Sequence, residues 1–513
     1  MKRHGSFCGA ALLFVMVLVS AGPAAAFSGG AAQRDMDAIG APLQPMPANP
    51  GLARALARIS PAQIQKTIAK LVSFHNRSTL SSMVTDLPPG TGVTAAADWI
   101  YAQFEAISAQ CGGCLQVHRD TFTQAPGTGP YARITAPTTI TNIYAVLPGS
   151  DPAQAARMIL VSGHYDSRNT NDSDTHLAAP GANDDGSGTA VSLECARALS
   201  KIKFPATLVF ETVAGEEQGL YGSHHMAEMA KQQNWQLEGV LNNDIVGGNR
   251  TPGDKFQDEH AVRVFSEPVP AVATPQEIRQ ILMMGYDSDS PARELAREIT
   301  EVARTYTGAA ASSSRPISSG LEPVLELRLD RFGRGSDQES FSHEGYAAIR
   351  FTEWREDFDH QHQNVRVEDG VQYGDLLKFV DFDYVARVAR LNAATMAVMA
   401  DAPPEPVHVI YPRPKVFAFN NSLNNTTIQW QPGPGAPADT RYTIVWRATA
   451  AANWQRAITA AKAGVKVNGQ GSDATWSVTL PISKDNVVFG VMAVGPKGQR
   501  SPAVVPWPPL RRR

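Results

Sequence analysis

The sequence predicts an α/β fold, a three-layer sandwich with a mainly parallel central sheet, followed by a C-terminal all-β sandwich. Short apolar, strand-like runs alternate with helical segments through most of the chain, and this alternation is typical of a parallel sheet covered by helices. Three prolines, Pro403, Pro404 and Pro406, then interrupt the chain, and only strand-like runs follow them. The 513 residues suffice for one large and one small domain.

The composition is that of an ordinary globular protein. Hydrophobic residues make up 43% of the chain, charged residues make up 19%, and the formal net charge is −3. Acidic and basic residues are interspersed, so nothing in the charge pattern indicates a nucleic-acid or membrane partner.

The N-terminus has the pattern of a secretory signal peptide. Lys2 and Arg3 form a positive start, the apolar run Ala10–Val19 follows, and small residues at 24–26 offer a cleavage site. The apolar run is short for a membrane span, although an uncleaved anchor is the alternative. We therefore expect residues 1–26 to be removed and the protein to be exported, periplasmic or extracellular.

Two boundaries divide the rest of the chain. Residues 27–50 are rich in glycine, alanine and proline and predict a flexible lead-in. Residues 51–402 form the predicted α/β domain, and residues 403–513 form the predicted β-sandwich. The strand-like runs of the sandwich are Thr427–Trp430, Tyr442–Arg447, Trp476–Leu480 and Val487–Val494. Their pattern resembles that of a fibronectin type III domain.

Three cysteines remain beyond the signal peptide. Cys111 and Cys114 are separated by two glycines, a spacing that suits a redox or metal site in the cytosol. In an oxidising compartment a local disulfide is the better interpretation. Cys195 lies in an apolar helical pattern and is predicted to be a buried free thiol.

The helices and strands of the α/β domain are predicted in alternating order. One helix begins at Pro61, a second carries apolar residues over Ala97–Phe104, and others begin near Gly188 and Tyr221. A helix over Phe379–Met399 closes the domain. The predicted strands are Asn142–Leu147, Met158–Ser162, Thr207–Val213 and Val240–Ile245. Two polar, turn-rich stretches predict surface excursions, Gly247–Val272 and Thr307–Gly320.

Two polar motifs follow the second of these strands. Residues two apart on an extended chain point the same way, so Asp166 can hydrogen-bond the ring of His164. Taken alone, a structural histidine explains this motif better. In Asn183-Asp184-Asp185 the flanking glycines permit a tight turn that presents carboxylates at a helix N-terminus. Taken alone, an ordinary helix cap explains this motif equally well.

Two more acidic motifs close the next two strands. Glu216 and Glu217 follow Thr207–Val213 directly, and paired carboxylates there are costly unless a positive charge lies beside them. Adjacent residues on a turning chain diverge, so one can bind a metal ion while the other acts as a base. Asp244 ends the following strand, where a surface turn would explain it in isolation.

Together the four motifs predict a pair of divalent metal ions. Carboxylates mixed with imidazole are the ligand set of zinc and similar ions, and ligands of α/β folds bind beyond the carboxyl ends of the strands. A further ligand is expected downstream, where His360 and His362 are candidates.

The order and spacing of these motifs resemble the two-zinc aminopeptidases of metallopeptidase family 28, the bacterial leucyl and Streptomyces-type exopeptidases. The resemblance covers roughly Leu71–Met399 and includes all four motifs. It implies a zinc exopeptidase-like fold, two Zn²⁺ ions as cofactors, and peptide substrates with a free N-terminus.

The resemblance also implies a role for each predicted ligand. His164 and Asp244 would bind one ion, and Glu217 with a histidine of the segment Asp359–His362 would bind the other. Asp184 would bridge the two ions, because it follows Asn183 at the place where the family has its bridging carboxylate.

The implied mechanism is hydrolysis by a metal-bridged water. Two ions about 3.5–4 Å apart hold a shared water, lower its pKa and polarise the scissile carbonyl. Glu216 would be the general base that moves the proton to the leaving amine, and Asp166 would support the ring of His164. One ion with nearby carboxylates would hold the substrate's free α-amine.

The last ligand involves a choice between two histidines. Aligning the loop so that residues 364–366 follow the ligand favours His362 over His360. The chain departs from the family at Gln338, where several relatives carry histidine, and at Arg366, where an aspartate is usual. Neither departure removes a predicted ligand.

Rival functions remain open at this stage. A carboxypeptidase of the same fold uses the same kind of centre, and single-zinc glutaminyl cyclases are also relatives. A catalytically silent binding ectodomain is a rival of another class. Retention of the whole ligand set and of Glu216 favours two-metal hydrolysis. The preferred side chain and the partner of the C-terminal domain are not indicated.

Overall fold

The computed structural model describes residues 35–129, 132–248, 251–308, 320–412 and 424–507, so the predicted signal peptide lies outside the described residues. No helix in these ranges is long and apolar enough to cross a membrane.

Residues 35–44 are packed against the C-terminal sandwich and Met46 packs in the core of the α/β domain, whereas composition predicts a flexible lead-in over residues 27–50. Strand β1 (Ala41–Pro42) pairs with the strand Arg456–Thr459, and Met36 is buried in the core of the sandwich. The indole of Trp446 donates a hydrogen bond of 2.8 Å to the carbonyl of Met36. Burial of apolar side chains stabilises this segment and offsets the conformational entropy that the chain loses when it becomes ordered.

One eight-stranded sheet forms the centre of the α/β domain. Its strands in chain order are β2 (Gln116–Gln124), β3 (Thr138–Leu147), β4 (Arg157–Ser162), β5 (Thr207–Thr212), β6 (Gln236–Asn243), β7 (Ala261–Ser266), β8 (Glu322–Glu326) and β9 (Ala348–Glu353). The spatial order is β2-β3-β5-β4-β6-β9-β7-β8. The central strands β5, β4, β6 and β9 run parallel. The predicted α/β fold class with a mainly parallel sheet is confirmed.

Helices cover both faces of this sheet. They are α1 (Pro50–Leu56), α2 (Pro61–Val72), α3 (Gly92–Gln110), α4 (Gly186–Leu199), α5 (Glu216–Gly219), α6 (Tyr221–Gln232), α7 (Pro275–Met284), α8 (Pro291–Tyr306), α9 (Gln338–His343) and α10 (Phe382–Asp401). Side chains alternate across a strand, so Ile159 packs in the core beneath α4 and α10 while Leu160 packs beside α6. The sheet is therefore rigid on both sides.

Strand β7 lies inside Gly247–Val272, which the sequence predicts as a surface excursion. Val262 and Val264 are fully buried in the core, so this part of the prediction is wrong. The strand has only six residues, and the long polar turns on either side of it make its apolar pattern hard to recognise in the sequence. Most of the other predicted excursion, residues 309–319, lies outside the described residues.

The C-terminal part is an antiparallel sandwich of two four-stranded sheets, in the orders β1-β15-β14-β18 and β12-β13-β17-β16. Besides β1, its strands are β12 (Val407–Ile410), β13 (Thr426–Gln431), β14 (Arg441–Ala448), β15 (Arg456–Thr459), β16 (Lys466–Asn468), β17 (Thr475–Leu480) and β18 (Val487–Val494). Helix α11 (Ala460–Ala463) lies between β15 and β16. Strands β10 (Arg366–Glu368) and β11 (Val371–Tyr373) form a separate hairpin after β9. The all-β prediction is confirmed, while the resemblance to fibronectin type III domains stays a prediction.

Both cysteine predictions are confirmed. Cys111 and Cys114 form a disulfide at the C-terminal end of α3, and Cys195 is a buried free thiol in α4.

Candidate metal centre

The four acidic motifs meet at the carboxyl ends of the parallel strands. His164 follows β4, Glu216 and Glu217 follow β5, and Asp244 follows β6. Asp184 lies in the turn before α4. Parallel strands end at one edge of their sheet, which is why side chains far apart in sequence converge there.

The five predicted ligands, together with the predicted base Glu216, form two groups, and within each group the side-chain nitrogen and oxygen atoms lie within 4.8 Å of one another. One group consists of His164, Glu216 and Asp244, and the other consists of Asp184, Glu217 and His362. Within the described part of the chain, these are the two groups of histidine, cysteine and acidic residues that could hold a metal ion.

Asp184 belongs to the second group and also faces His164 of the first. Its Oδ1 is 3.2 Å from Nε2 of His164, and its Oδ2 is 2.8 Å from Nε2 of His362. The opposite ends of the centre are Asp244, whose Oδ1 is 3.9 Å from Nε2 of His164, and Glu217, whose Oε2 is 3.2 Å from Nε2 of His362. One carboxylate thus faces both histidines, which is the geometry of a bridge.

The structure brings His362, and not His360, to the other predicted ligands. Nδ1 of His360 lies 3.1 Å from Asp357, and its ring stacks on Phe379 at 3.6 Å between centroids. The backbone of His362 has a φ of +55°, a left-handed conformation that a non-glycine residue adopts at some cost. That conformation turns its imidazole toward Asp184.

Asp166 supports both halves of the centre. Its Oδ1 is 3.3 Å from Nδ1 of His164, and its backbone carbonyl accepts the hydrogen bond of that nitrogen at 3.2 Å. Its Oδ2 accepts hydrogen bonds from the hydroxyl of Thr79 at 2.8 Å and from the backbone N–H of Glu217 at 3.3 Å. A carboxylate in this position orients the ring of a metal-bound histidine.

Asp185 holds the backbone of the first motif. Its side chain caps α4 by accepting from the N–H of Gly188 at 2.8 Å, and it also accepts from the N–H of His164 at 3.0 Å. The peptide bond between Asp184 and Asp185 is cis. A Cβ at Gly188 would lie 2.1 Å from the carbonyl oxygen of Asn243, so only glycine lets the start of α4 approach β6 this closely.

Glu216 begins the short helix α5 after Gly215, which has a φ of +86°. Its side chain lines the cavity described below. Burial, together with the carboxylates of Asp244, Glu217 and Asp337, raises the pKa of Glu216 well above its usual value. A glutamate carboxylate that lines a cavity beside the predicted ligands is placed to accept and return a proton.

The protein atoms of the centre fit bound cations. Nε2 of His164 and Oε1 of Glu217 are buried without a hydrogen-bond partner among the described residues, although buried polar atoms normally have one. Burial lowers the pKa of His164, but the adjacent carboxylates of Asp166 and Asp184 raise it well above its usual value. The same holds at His362, where Glu217 and Asp184 raise the pKa to about 10. Divalent cations bound at these residues would neutralise the surplus negative charge.

Three residues position the centre without any signal in the local sequence. The buried guanidinium of Arg77 donates to the carbonyls of Tyr165 at 2.6 Å and Gly181 at 2.8 Å. The side chain of Asp375 accepts from the N–H of Asp184 at 2.8 Å. These contacts join segments about a hundred residues or more apart, so only the folded chain reveals them.

Arg350 is the third of these residues. Its Nη2 lies 3.1 Å from Oδ1 of Asp244, and its Nη1 donates to Asp330 and to the carbonyl of Gly335, both at 3.1 Å. The guanidinium is fully buried, so it holds Asp244 against the loop that forms one wall of the cavity.

A cavity of about 690 Å³ opens onto the two groups. This volume is within the range of small-molecule sites. Its lining combines the acidic residues of the centre with four arginines, which are Arg133, Arg168, Arg331 and Arg334. Phe358 also lines it and is 63% exposed.

This chain is similar in sequence to known zinc peptidases. The model of peptidase family M28 matches residues 142–369. A probable zinc metalloprotease of Pyrenophora teres f. teres is 39% identical over 473 residues, which cover 92% of this chain and 89% of the relative. This chain belongs to peptidase family M28. A probable zinc metalloprotease of Pyricularia oryzae is 41% identical over 465 residues, covering 89% and 84%.

The solved structure of the Legionella pneumophila LapA aminopeptidase is similar at 20% identity, with a TM-score of 0.44 over 68% of this chain and 74% of that chain. The M28 match of residues 142–369 includes all five predicted ligands, from His164 to His362.

The departure at Gln338 leaves the ligand groups of this M28 chain intact. The amide nitrogen of Gln338 donates to Asp330 at 2.7 Å, and its amide oxygen accepts from Asn242 at 3.3 Å. Gln338 therefore supports the partner of Arg350 and does not face the two groups of predicted ligands.

Proposed function

We propose that this M28 peptidase is an exported dinuclear zinc aminopeptidase. The observation that carries the proposal is the position of Asp184, whose two oxygens face His164 and His362 separately. This geometry supports two ions sharing one carboxylate. Zinc dependence agrees with the names of the curated relatives.

His164, Asp184 and Asp244 would hold one ion, and Asp184, Glu217 and His362 would hold the other. When bound, two zinc ions lower the pKa of a water between them and polarise a substrate carbonyl. Glu216 borders the cavity and lies in the same group as His164 and Asp244. It is the residue placed to accept the proton of the attacking water and to deliver it to the leaving amine.

The acidic end of the cavity supports recognition of a free α-amine. Glu216, Glu217 and Asp244 all line it, and one zinc ion held there, together with the nearby carboxylates, would hold the nitrogen of a free α-amine. A peptide held by its α-amine presents its first peptide bond to the centre. Hydrolysis of that bond releases the N-terminal residue, which is aminopeptidase activity.

A carboxypeptidase of the same fold is the second candidate. Arg133 and Arg334 line the same cavity and remain 42% and 33% exposed. Guanidinium groups bind carboxylates, so these arginines could take a substrate's C-terminus in place of its N-terminus.

A panel of matched peptides distinguishes the two candidates. One peptide sequence is offered with both ends free, with an acetylated N-terminus, and with an amidated C-terminus. We expect cleavage of the free and amidated forms with release of the first residue, and no cleavage of the acetylated form. Equal cleavage of the acetylated peptide contradicts the proposal, and strict dependence on a free C-terminal carboxylate assigns the carboxypeptidase.

A further inference from the structure

Arg168 contacts two of the predicted ligands from the cavity side. Its Nε lies 3.1 Å from Oε2 of Glu217, and its Nη2 lies 2.7 Å from Nδ1 of His362. The side chain is 18% exposed and lines the cavity. The proposed function assigns no role to this residue.

The hydrogen bond between Arg168 and His362 requires one protonation state of the ring. A guanidinium group only donates hydrogen bonds, so Nδ1 of His362 accepts from Arg168 only when the ring is neutral. The hydrogen of that neutral ring is on Nε2, which is the nitrogen that faces Asp184 and Glu217.

A metal-binding imidazole needs the opposite arrangement. Its Nε2 lone pair binds the ion, and its Nδ1–H is donated to an acceptor. Arg168 presents a donor and a positive charge at that place, and it also holds the carboxylate of Glu217. A metal ion bound by Glu217 and His362 would therefore be repelled by the guanidinium of Arg168, which contacts the same two side chains.

The other half of the centre lacks this conflict. Nδ1 of His164 bonds to the backbone carbonyl of Asp166 at 3.2 Å and lies 3.3 Å from its Oδ1, and both oxygens are acceptors of the kind that a metal-bound histidine uses. Arg350 does contact Asp244 in that half, through the carboxylate at 3.1 Å and the backbone carbonyl at 3.2 Å, but it is held by Asp330 and is not a donor to the ring of His164. The two halves thus differ in what faces the imidazole.

We propose that Arg168 competes with the ion at Glu217 and His362, so that the two zinc ions bind with unequal affinity. Binding of the second ion moves the guanidinium away from His362 toward Asp172, whose Oδ2 lies 3.9 Å from Nη1. This inference rests on the proposed two-ion function. It assigns Arg168 as a positioning residue that sets the affinity of one half of the centre.

Zinc titration of the metal-stripped, full-length protein tests the proposal, with a competing chelator and calorimetry as the readouts. For the wild type we expect two classes of sites. Arg168→Gln removes a positive charge beside the second ion, so the weaker class should tighten by about tenfold or more, while the tighter class changes by less than about threefold. Arg168→Lys keeps the charge but loses the planar fork, and its weaker class should lie between the two.

Arg133→Gln is the matched control. Arg133 lines the same cavity and lies 3.2 Å from Asp172, but it bonds Glu217 only through the backbone carbonyl, at 2.6 Å. We expect its zinc affinities to stay within about threefold of the wild type, since no ligand side chain loses a contact.

Three outcomes would overturn the role of Arg168. Arg168→Gln could leave both affinities unchanged, it could weaken the second site, or Arg133→Gln could produce the same tightening. Each of these results leaves the two-ion function standing when two zinc equivalents still bind. One zinc equivalent in every variant contradicts the two-ion function itself, and the peptide panel tests the aminopeptidase activity separately.

Discussion

At the scale of single residues, the centre depends on Asp184 and on the residues that hold it. Its backbone N–H is bound by Asp375, and its two oxygens face different histidines. The sequence predicts His164, Glu217 and Asp244 because each lies just after a strand, and it predicts Asp184 because a glycine-flanked acidic motif precedes helix α4. It does not predict Arg77, Asp375 or Arg350, because their partners lie far away in sequence and no local motif marks these three residues.

Glu216 and Glu217 are adjacent but have different predicted roles. Glu216→Gln should keep the metal content of the wild type and lose about 10²–10⁴ in kcat, the usual contribution of a general base. Glu217→Gln should lose metal, since a ligand oxygen is replaced. Metal analysis by mass spectrometry beside steady-state kinetics checks both variants. A metal-poor Glu216→Gln protein would mean that the roles are reversed, a possibility raised by the grouping of Glu216 with His164 and Asp244.

His360 and His362 form a second matched pair. His362→Ala should reduce the bound zinc by one equivalent and abolish nearly all activity, because its imidazole faces Asp184 and Glu217. His360→Ala should keep both ions, because its ring contacts Asp357 and Phe379. Loss of zinc from the His360→Ala protein alone would transfer the ligand role to His360.

At the scale of elements, strands with helices between them were predictable and isolated short strands were not. Helix α4 and strand β18 lie within two residues of their predicted positions. Strand β7 was missed because its neighbours in sequence are polar turns, and only pairing with β8 and β9 identifies it. The same limit applies to β1, a two-residue strand that exists only through its partner β15.

Helix α8 carries a buried acidic side chain that makes its packing sensitive to pH. Glu298 is 2% exposed, and burial beside Glu301 and Glu294, partly offset by Arg500, raises its pKa to about 8. An unfolded glutamate has a pKa of about 4.3. The folded state therefore loses stability as the pH rises from that value through 8, by about 1.4 kcal/mol per pH unit at most for this group.

Glu298→Gln tests this linkage. The neutral amide removes the titration, so the variant should melt at a higher temperature than the wild type at pH 8 and lose most of that advantage at pH 5. Thermal unfolding followed by circular dichroism at both pH values is the measurement. Glu105→Gln, at an exposed position of α3, is the control. An advantage of equal size at both pH values would refute the account of α8.

At the scale of the whole molecule, the sandwich and the α/β domain share an extensive interface. Arg447 of the sandwich forms an ion pair with Asp289, and the indole of Trp454 donates to Glu294 of α8 at 3.2 Å. Residues 35–50 also link the two parts, since β1 pairs with β15 of the sandwich and the chain then continues into α1 of the α/β domain. The division at residue 403 is visible in sequence as a proline linker, but this interface is not, because it joins residues from separate parts of the chain.

The central claim is that one carboxylate, Asp184, bridges two zinc ions. Anomalous diffraction from crystals of the zinc-loaded protein, measured on both sides of the zinc absorption edge, tests it most directly. We expect two anomalous peaks about 3.5–4 Å apart, one beside His164 and Asp244 and the other beside Glu217 and His362, with Asp184 between them. A single peak in the zinc-saturated crystal, or two peaks that Asp184 does not contact, would contradict the account.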